Sequence, residues 1–466
     1  MNSLNPYLQG LYAPVSEEVT ALECAVSGEI PRDLHGAYVR NGPNPARAPT
    51  DLHHWFDGDG MLHGVYFENG KAEYRNRFVR TADHLADLEA GCGAAGVLLP
   101  ASRRRGAKVY KDTANTDVVM HGGRLLALWY ISGTPVRLHP RTLETLGAES
   151  FRGDLPRHVS AHSKVDPRTG ELVFFDYALY EPWMSFGVVN RDNVLANFQR
   201  VELPGPRLPH DMGLTENYVI LHDLPVVFTE QGLRNKLWSI EQRDQPARFG
   251  IVPRSGRGEE IRWFETDPCY IYHVVNAWED GDEVVMHACR MVPSAMQPNH
   301  AYGPYAPMVV VLALRAVPVE WRMNLRTGAV RYRQLDDRFG EFPAINLEYT
   351  ATENRYSYNV SMCPGELLKF DGLYKYDLES GACETYRYAP GVFGSEAAFA
   401  PRLGAKSEDD GYVVVFATDE ATGRSEAQII DAQHFAGGPV ARVVLPARVP
   451  AGFHATWARG DLIATA

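Results

Sequence analysis

At 466 residues the chain is long enough for two or three average domains or for one large β assembly. Hydrophobic residues make up 45% and aromatics 11%, which is a globular composition with ample material for a core. Lys and Arg number 46 against 58 Asp and Glu, a formal charge of −12, and no basic run exceeds Arg103-Arg104-Arg105; this speaks against a nucleic-acid partner, because phosphate binding leans on a basic face.

The N-terminal stretch MNSLNPYLQGLYAPVSEE has neither a basic region nor an apolar core, so no secretory leader is expected. The six cysteines, Cys24, Cys92, Cys269, Cys289, Cys363 and Cys383, form no CxxC pair and suit buried thiols in a reducing compartment. The longest apolar run, Met308 to Leu314, is too short to span a bilayer. A soluble cytoplasmic protein is the expectation.

Along the chain the dominant signal is the hairpin. Turn pieces with Asn or Asp ahead of Gly stand at Glu68-Asn69-Gly70-Lys71, Asp166 to Glu171, Glu279 to Glu283, Asn324 to Ala329, Asp377 to Ala382 and Glu408 to Tyr412. In each, Gly is expected to take the positive φ that the turn needs. The flanks read as strands of ordinary length: LVFFDY after Gly170, VVMHACR after Glu283, PMVVVLALR around Met308 and YVVVFATD from Tyr412. Helical patterns are few, the best being Ala82 to Ala90, with a short piece near Ala295. No Gly/Ser linker divides the chain, so one all-β domain over residues 1–466 is predicted. Its architecture is a sandwich pair, a large barrel or a propeller.

Four histidines choose among these. His162, His210, His273 and His454 each lie in a short apolar-flanked segment, in SAHSKVD, LPHDMGL, YIYHVVN and AGFHATW, and each in a different part of the chain. Ligands scattered that widely meet only where the fold brings many segments to one axis, which radial repetition does. Seven blades would take about 67 residues each, generous for four strands plus loops; no exact repeat is visible, so the blade count is not read from the sequence. Four neutral imidazoles suit iron, zinc, copper or nickel without selecting among them. Ligating histidines usually donate their second ring N–H to a carboxylate or carbonyl. Glu341 in GEFPAIN and Glu396 in FGSEAAFAPR, each in apolar surroundings, are candidates to receive it.

Taken together, NPYLQGLYAPVSEE, EIPRDLHGAYVRNGPNP, HWFDGDGMLHGVYF, SAHSKVDPRTGE, PHDMGLTENY, YHVVNAWE, GEFPAIN and GFHATW resemble the carotenoid cleavage oxygenase family, in the right order over nearly the whole chain. The resemblance implies a seven-bladed β-propeller with a helix-and-loop dome over one face. It also implies a non-haem Fe(II) on the axis, held by His162, His210, His273 and His454, with Glu341 behind His273 and Glu396 behind His454. Family members cleave a conjugated alkene with O2 into two carbonyl products. The chain departs from the family once: where a Glu commonly follows LLALW and would support His210, this sequence has Tyr130. A phenol accepts the ring N–H but is uncharged at neutral pH, so His210 would be a weaker donor.

Four nitrogens leave up to two positions on a six-coordinate metal, and the substrate has only to be pinned beside it in a dry, aromatic-walled tunnel. By resemblance, Phe56, Trp129, Tyr130, Phe228, Tyr272 and Phe342 line that tunnel. Stilbene- and phenylpropene-cleaving branches tend to carry a Lys where this chain has Trp129, so a carotenoid or apocarotenoid is the expected substrate. The alternatives are a stilbene or phenylpropene, and a retinoid-like binder or isomerising relative without oxygenase activity. A polyene dissolves in membranes, so an apolar patch for peripheral membrane contact is expected at Val97-Leu98-Leu99-Pro100, beside Arg103 to Arg105, and at Leu224 to Phe228.

Overall fold

The structure, a computed structural model, describes residues 5–49, 52–93, 111–153, 155–231, 239–293 and 296–464. Seven antiparallel sheets stand around one axis as the blades of a propeller. Five are four-stranded meanders that follow one another along the chain, the fourth blade interrupted by a separate hairpin of Val226–Phe228 and Ile240–Gln242. Blade 2 runs Asp117–His121, Arg124–Leu128, Val136–Leu138 and Thr145–Ala148, and blade 3 runs Lys164–Val165, Leu172–Tyr177, Met184–Val189 and Leu195–Val201. Blade 4 begins at Gly213–Leu214, blade 5 at Ile271–Asp280 and blade 6 at Gly340–Ala344.

The two ends of the chain close the ring. The last strand, Ala455–Arg459, pairs with Gly36–Pro43 and becomes the inner strand of blade 1, which is otherwise N-terminal. Val26–Gly28 pairs with Pro439–Val444 on the outer edge of blade 7. Each closure removes a free sheet edge on which another chain could pair. Burial follows the radius: Leu172–Tyr177 and Met184–Val189 are buried throughout, while the outer strand Val330–Gln334 is exposed except at Val330.

Turn chemistry fixes the hairpins. Asn69 and Gly70, at φ 51° and 76°, join Gly60–Glu68 to Lys71–Phe78 by the two-residue turn whose twist matches that of the strands. Gly170, Gly281, Gly328 and Gly381 likewise sit at positive φ in the turns expected of them. The sixth turn differs: Gly411 opens the strand Gly411–Asp419, and the positive φ of that connection falls on Gly404.

A second correction concerns PMVVVLALR, which is not a strand. Ala306–Val311 is an α-helix entered through Pro307, and the next strand of blade 5 is Ala316–Asn324. A short apolar run buried in the core carries no periodicity of its own, so the pattern does not separate helix from strand. The helix at Ala82–Ala90 is present, capped by the Thr81 side chain and ended by Gly91 in the left-handed conformation. Ala295 and the stretches 97–100 and 103–105 lie outside the described residues. Leu224, Val227 and Phe228 are buried among the strands, at 0%, 1% and 3% exposure, so Leu224 to Phe228 is core and offers no surface patch. Among the described residues no helix is long and apolar enough to cross a membrane.

Candidate metal centre

The four histidines meet on the propeller axis. His273 lies in the inner strand of blade 5 where the register slips between Ile271 and Val274, a bulge that re-aims the side chain. His210 is in the loop leading to Gly213–Leu214, and His454 directly precedes Ala455–Arg459. His162 sits at φ 66°, unusual for a residue with a side chain, and its backbone N–H donates to Asp117 Oδ2 at 2.9 Å. The His454 N–H donates to the Thr116 carbonyl at 3.1 Å, and the His454 carbonyl accepts from the Asn41 N–H at 2.9 Å. Backbone bonds to neighbouring blades therefore set the ring positions before any ion is present.

One nitrogen from each of the four imidazoles lies within 4.8 Å of the others. Donors about 2.0–2.1 Å from a single ion stand up to about 4.2 Å apart, so a small inward adjustment completes a coordination sphere. All four residues are buried, and the Nε2 atoms of His162 and His273 have no hydrogen-bond partner among the described residues. Buried ring nitrogens left open toward a common centre are what a bound cation would satisfy. Burial, with mutual repulsion adding to it, holds His162, His210 and His273 well below the usual imidazole range, in the neutral form that ligates.

Two of the rings are oriented from behind. Glu341 Oε2 is 2.5 Å from His273 Nδ1 and also accepts the Phe342 N–H. Glu396 Oε1 is 3.0 Å from His454 Nδ1, and its second oxygen accepts the Ala455 N–H. Both bonds occupy Nδ1 and leave Nε2 for the centre. Burial lowers the proton affinity of His454, but the Glu396 carboxylate outweighs it and raises the ring above its ordinary value. Burial pushes Glu341 up to about 8. Below that pH the metal-free Glu341–His273 pair is expected to hold one proton more than a carboxylate beside a neutral ring.

A cation on Nε2 reverses that arrangement and favours the carboxylate. Addition of Co2+ to the metal-free protein at pH 7 should therefore release about one proton per ion at this pair. Affinity should rise with pH and level off above about 8, where Glu341 is already ionised. Titration in weakly buffered solution measures the release; pH-independent affinity between 6 and 9 would contradict it.

On one side of the histidines is a small apolar cavity of about 30 Å³. Phe56, Tyr130, Tyr272 and Phe342 line it, together with His210, His273 and His454. Phe342 stacks on His454 with ring centres 4.9 Å apart, and Tyr272 meets His210 edge-on at 4.7 Å. Phe342 is held at φ 46° beside the irregular register of its strand, which turns its ring inward. The Tyr130 ring is edge-on to Phe56 at 5.0 Å.

Trp129 and Phe228 are corrections to the expected lining. Both are buried in apolar clusters between strands, Trp129 with Phe151 and Phe174, Phe228 with Met212 and Leu221. Neither is among the residues on the cavity wall. Trp55, Thr116, Leu312, Leu314, Leu368 and Phe453 complete the wall and were not anticipated; nothing local in the sequence sets them apart from core residues. Asp211 was also missed. It stands beside His210 and accepts the Val274 N–H at 2.7 Å and the Lys164 ammonium at 2.8 Å, so one carboxylate ties together the segments of three of the four histidines. Its adjacency to His210 was the available signal.

The comparisons with known proteins agree with this geometry. The family profile described as retinal pigment epithelial membrane protein matches residues 12–459. A carotenoid 9,10(9',10')-cleavage dioxygenase of Crocus sativus is 37% identical over 96% of this chain and 88% of its own length. A carotenoid cleavage oxygenase of Mycobacterium tuberculosis is 34% identical over 98% of both. The crystal structure of the lignostilbene dioxygenase of Pseudomonas brassicacearum superposes with a TM-score of 0.88 at 28% identity, covering 98% of this chain and 99% of that one. The chain belongs to the retinal pigment epithelial membrane protein family, that of the carotenoid cleavage oxygenases, and is an enzyme of the dioxygenase type.

Proposed function

We propose that this enzyme cleaves a C=C bond of a carotenoid or apocarotenoid with O2, one oxygen atom ending in each of two carbonyl products, and that its metal is Fe(II) on His162, His210, His273 and His454. The observation that carries the substrate class is the cavity beside the histidines: Phe56, Tyr130, Tyr272, Phe342 and Phe453 surround it, and among the described residues no ammonium, guanidinium or carboxylate lines it. At about 30 Å³ the cavity must widen by side-chain movement to admit a polyene, but an apolar chain gives up no hydrogen bond against such a wall, whereas a phenolate meets no charge partner among the described lining residues. Iron bound on the four imidazoles supplies the reactivity toward O2. The protein's own part is to hold the polyene by ring contacts, keep water from the reacting bond, and keep Nδ1 of His273 and His454 engaged with Glu341 and Glu396.

The second reading, a stilbene or phenylpropene as substrate, is favoured by the likeness to the lignostilbene dioxygenase fold. Oxygen uptake by iron-loaded protein decides between them. Uptake with an apocarotenoid, giving two carbonyl fragments whose masses sum to the substrate plus O2, supports the first. Uptake confined to hydroxystilbenes supports the second, and tight polyene binding without uptake would make the protein a binder.

Tyr130 stands for the departure at His210. If its phenol oxygen accepts the His210 N–H, Tyr130→Glu should hold metal about twofold to tenfold more tightly, since a charge-assisted bond is roughly twice as strong as a neutral one. Equilibrium dialysis against a chelator reads this. Loss of folding would identify Tyr130 as a packed wall residue only, consistent with its contacts to Phe56 and Trp129.

A further inference from the structure

The histidines also face a second, larger cavity of about 490 Å³, on the other side of the ring from the apolar one. The two share His273 and His454, while only the larger is lined by His162. Its wall is made by the inner strands, including Asp117–His121, Lys164–Val165 and Ala455–Arg459, so it runs along the propeller axis. Burial along it changes steadily: His162 and His273 are buried, Lys164 and Val165 are half-buried, and Arg191, Glu348 and Arg459 are exposed. It is a funnel from the surface to the metal ligands. The wall carries the carboxylates Asp117, Asp166, Asp211, Glu348 and Glu396 against the cations Lys164, Arg191 and Arg459; Lys164 pairs with Asp211 at 2.8 Å, Arg459 with Glu348 at 2.7 Å, and Asp166 with Arg254, outside the wall, at 2.9 Å.

We propose that this axial funnel is the route by which a hydrated divalent cation reaches the histidines, leaving the apolar cavity to the substrate. A cation crossing a wall of Trp55, Phe56, Leu314 and Phe453 would shed its water with nothing polar in return. In the funnel, carboxylates replace that water stepwise, and a wall with an excess of negative charge raises the local concentration of cations. The open Nε2 atoms of His162 and His273 mark the inner end. The inference rests on the four-histidine site proposed above.

The test follows Co2+ uptake by folded, metal-free protein, with bound cobalt measured spectroscopically and by elemental analysis, and no turnover involved. Val165→Trp narrows the funnel, Glu348→Lys reverses a charge at its mouth, and Leu314→Trp fills the apolar side. Each funnel variant should load about tenfold more slowly, Glu348→Lys at low salt through loss of an attractive field and Val165→Trp at any salt by obstruction, yet reach the parent's cobalt content. Leu314→Trp should load at the parent rate. Should Val165→Trp not fold, the exposed Glu348→Lys still decides. Parent-like rates in the funnel variants, or slowing in Leu314→Trp alone, overturn the route. A parent protein that binds no cobalt at equilibrium would instead overturn the histidine site itself.

Discussion

His273→Ala should leave a folded protein that retains almost no metal and no oxygenase activity. The residue offers one of the four clustered nitrogens that could hold a metal, and its ring lies 5.0 Å from that of His162, 5.1 Å from that of His210 and 4.7 Å from that of His454. Removing a partner behind a ligand costs about 10- to 100-fold in affinity, and removing the ligand itself should cost more. The metal-free variant should melt close to the metal-free parent, because four buried imidazoles facing one another contribute little until a cation joins them. The loaded parent should melt higher than both, as binding to the native state alone requires. Parallel changes of His162, His210 and His454 should do the same. Metal contents near one per chain in two or more of these variants would remove the histidines from the metal centre.

Glu341→Gln should have the next largest effect, lowering metal affinity and turnover by about 10- to 100-fold while the fold stays intact. The amide keeps the shape and can still accept the His273 Nδ1–H and the Phe342 N–H, but it brings no charge to strengthen the ring as a donor. Because Glu341 is fully buried, the ionised form is favoured only once a cation sits on the far side of the ring. The variant should therefore also lose its share of the proton release on metal capture, a readout that general loosening would not produce. Unchanged affinity and unchanged proton release would make Glu341 a packing residue. Glu396→Gln, behind His454 at 3.0 Å, should act in the same direction and less strongly, since His454 is also fixed by the Thr116 carbonyl and the Asn41 N–H.

Much of this protein was legible in order. Asn69-Gly70, Thr169-Gly170 and Asp280-Gly281 announce hairpins because a positive φ is nearly a property of the residue, whatever surrounds it. A closely spaced series of such turns leaves few architectures beyond sandwich, barrel and propeller. The four histidines were legible as a set because their chemistry has little use apart from one another, and their wide spacing demanded radial repetition.

The sequence by itself therefore determined the hairpins, the all-β class and the residue types able to hold a metal. Tertiary structure alone decided which aromatics line the cavity beside the histidines. Trp129 and Tyr130 are neighbours in one buried apolar cluster, yet only Tyr130 also lines the cavity, and Phe342 turns inward where its strand breaks register at a positive φ. It likewise decided that Met308 lies in a helix, since a buried apolar run fits either period. The axial funnel, and the carboxylate of Asp211 that joins three of the histidine segments, had no local signature beyond the HD pair, because both are made by segments far apart in the chain meeting at one axis, the Asp211 bonds spanning 63 and 47 residues. Local rules act over a few bonds, and a cavity wall is defined only by what the distant chain leaves unfilled.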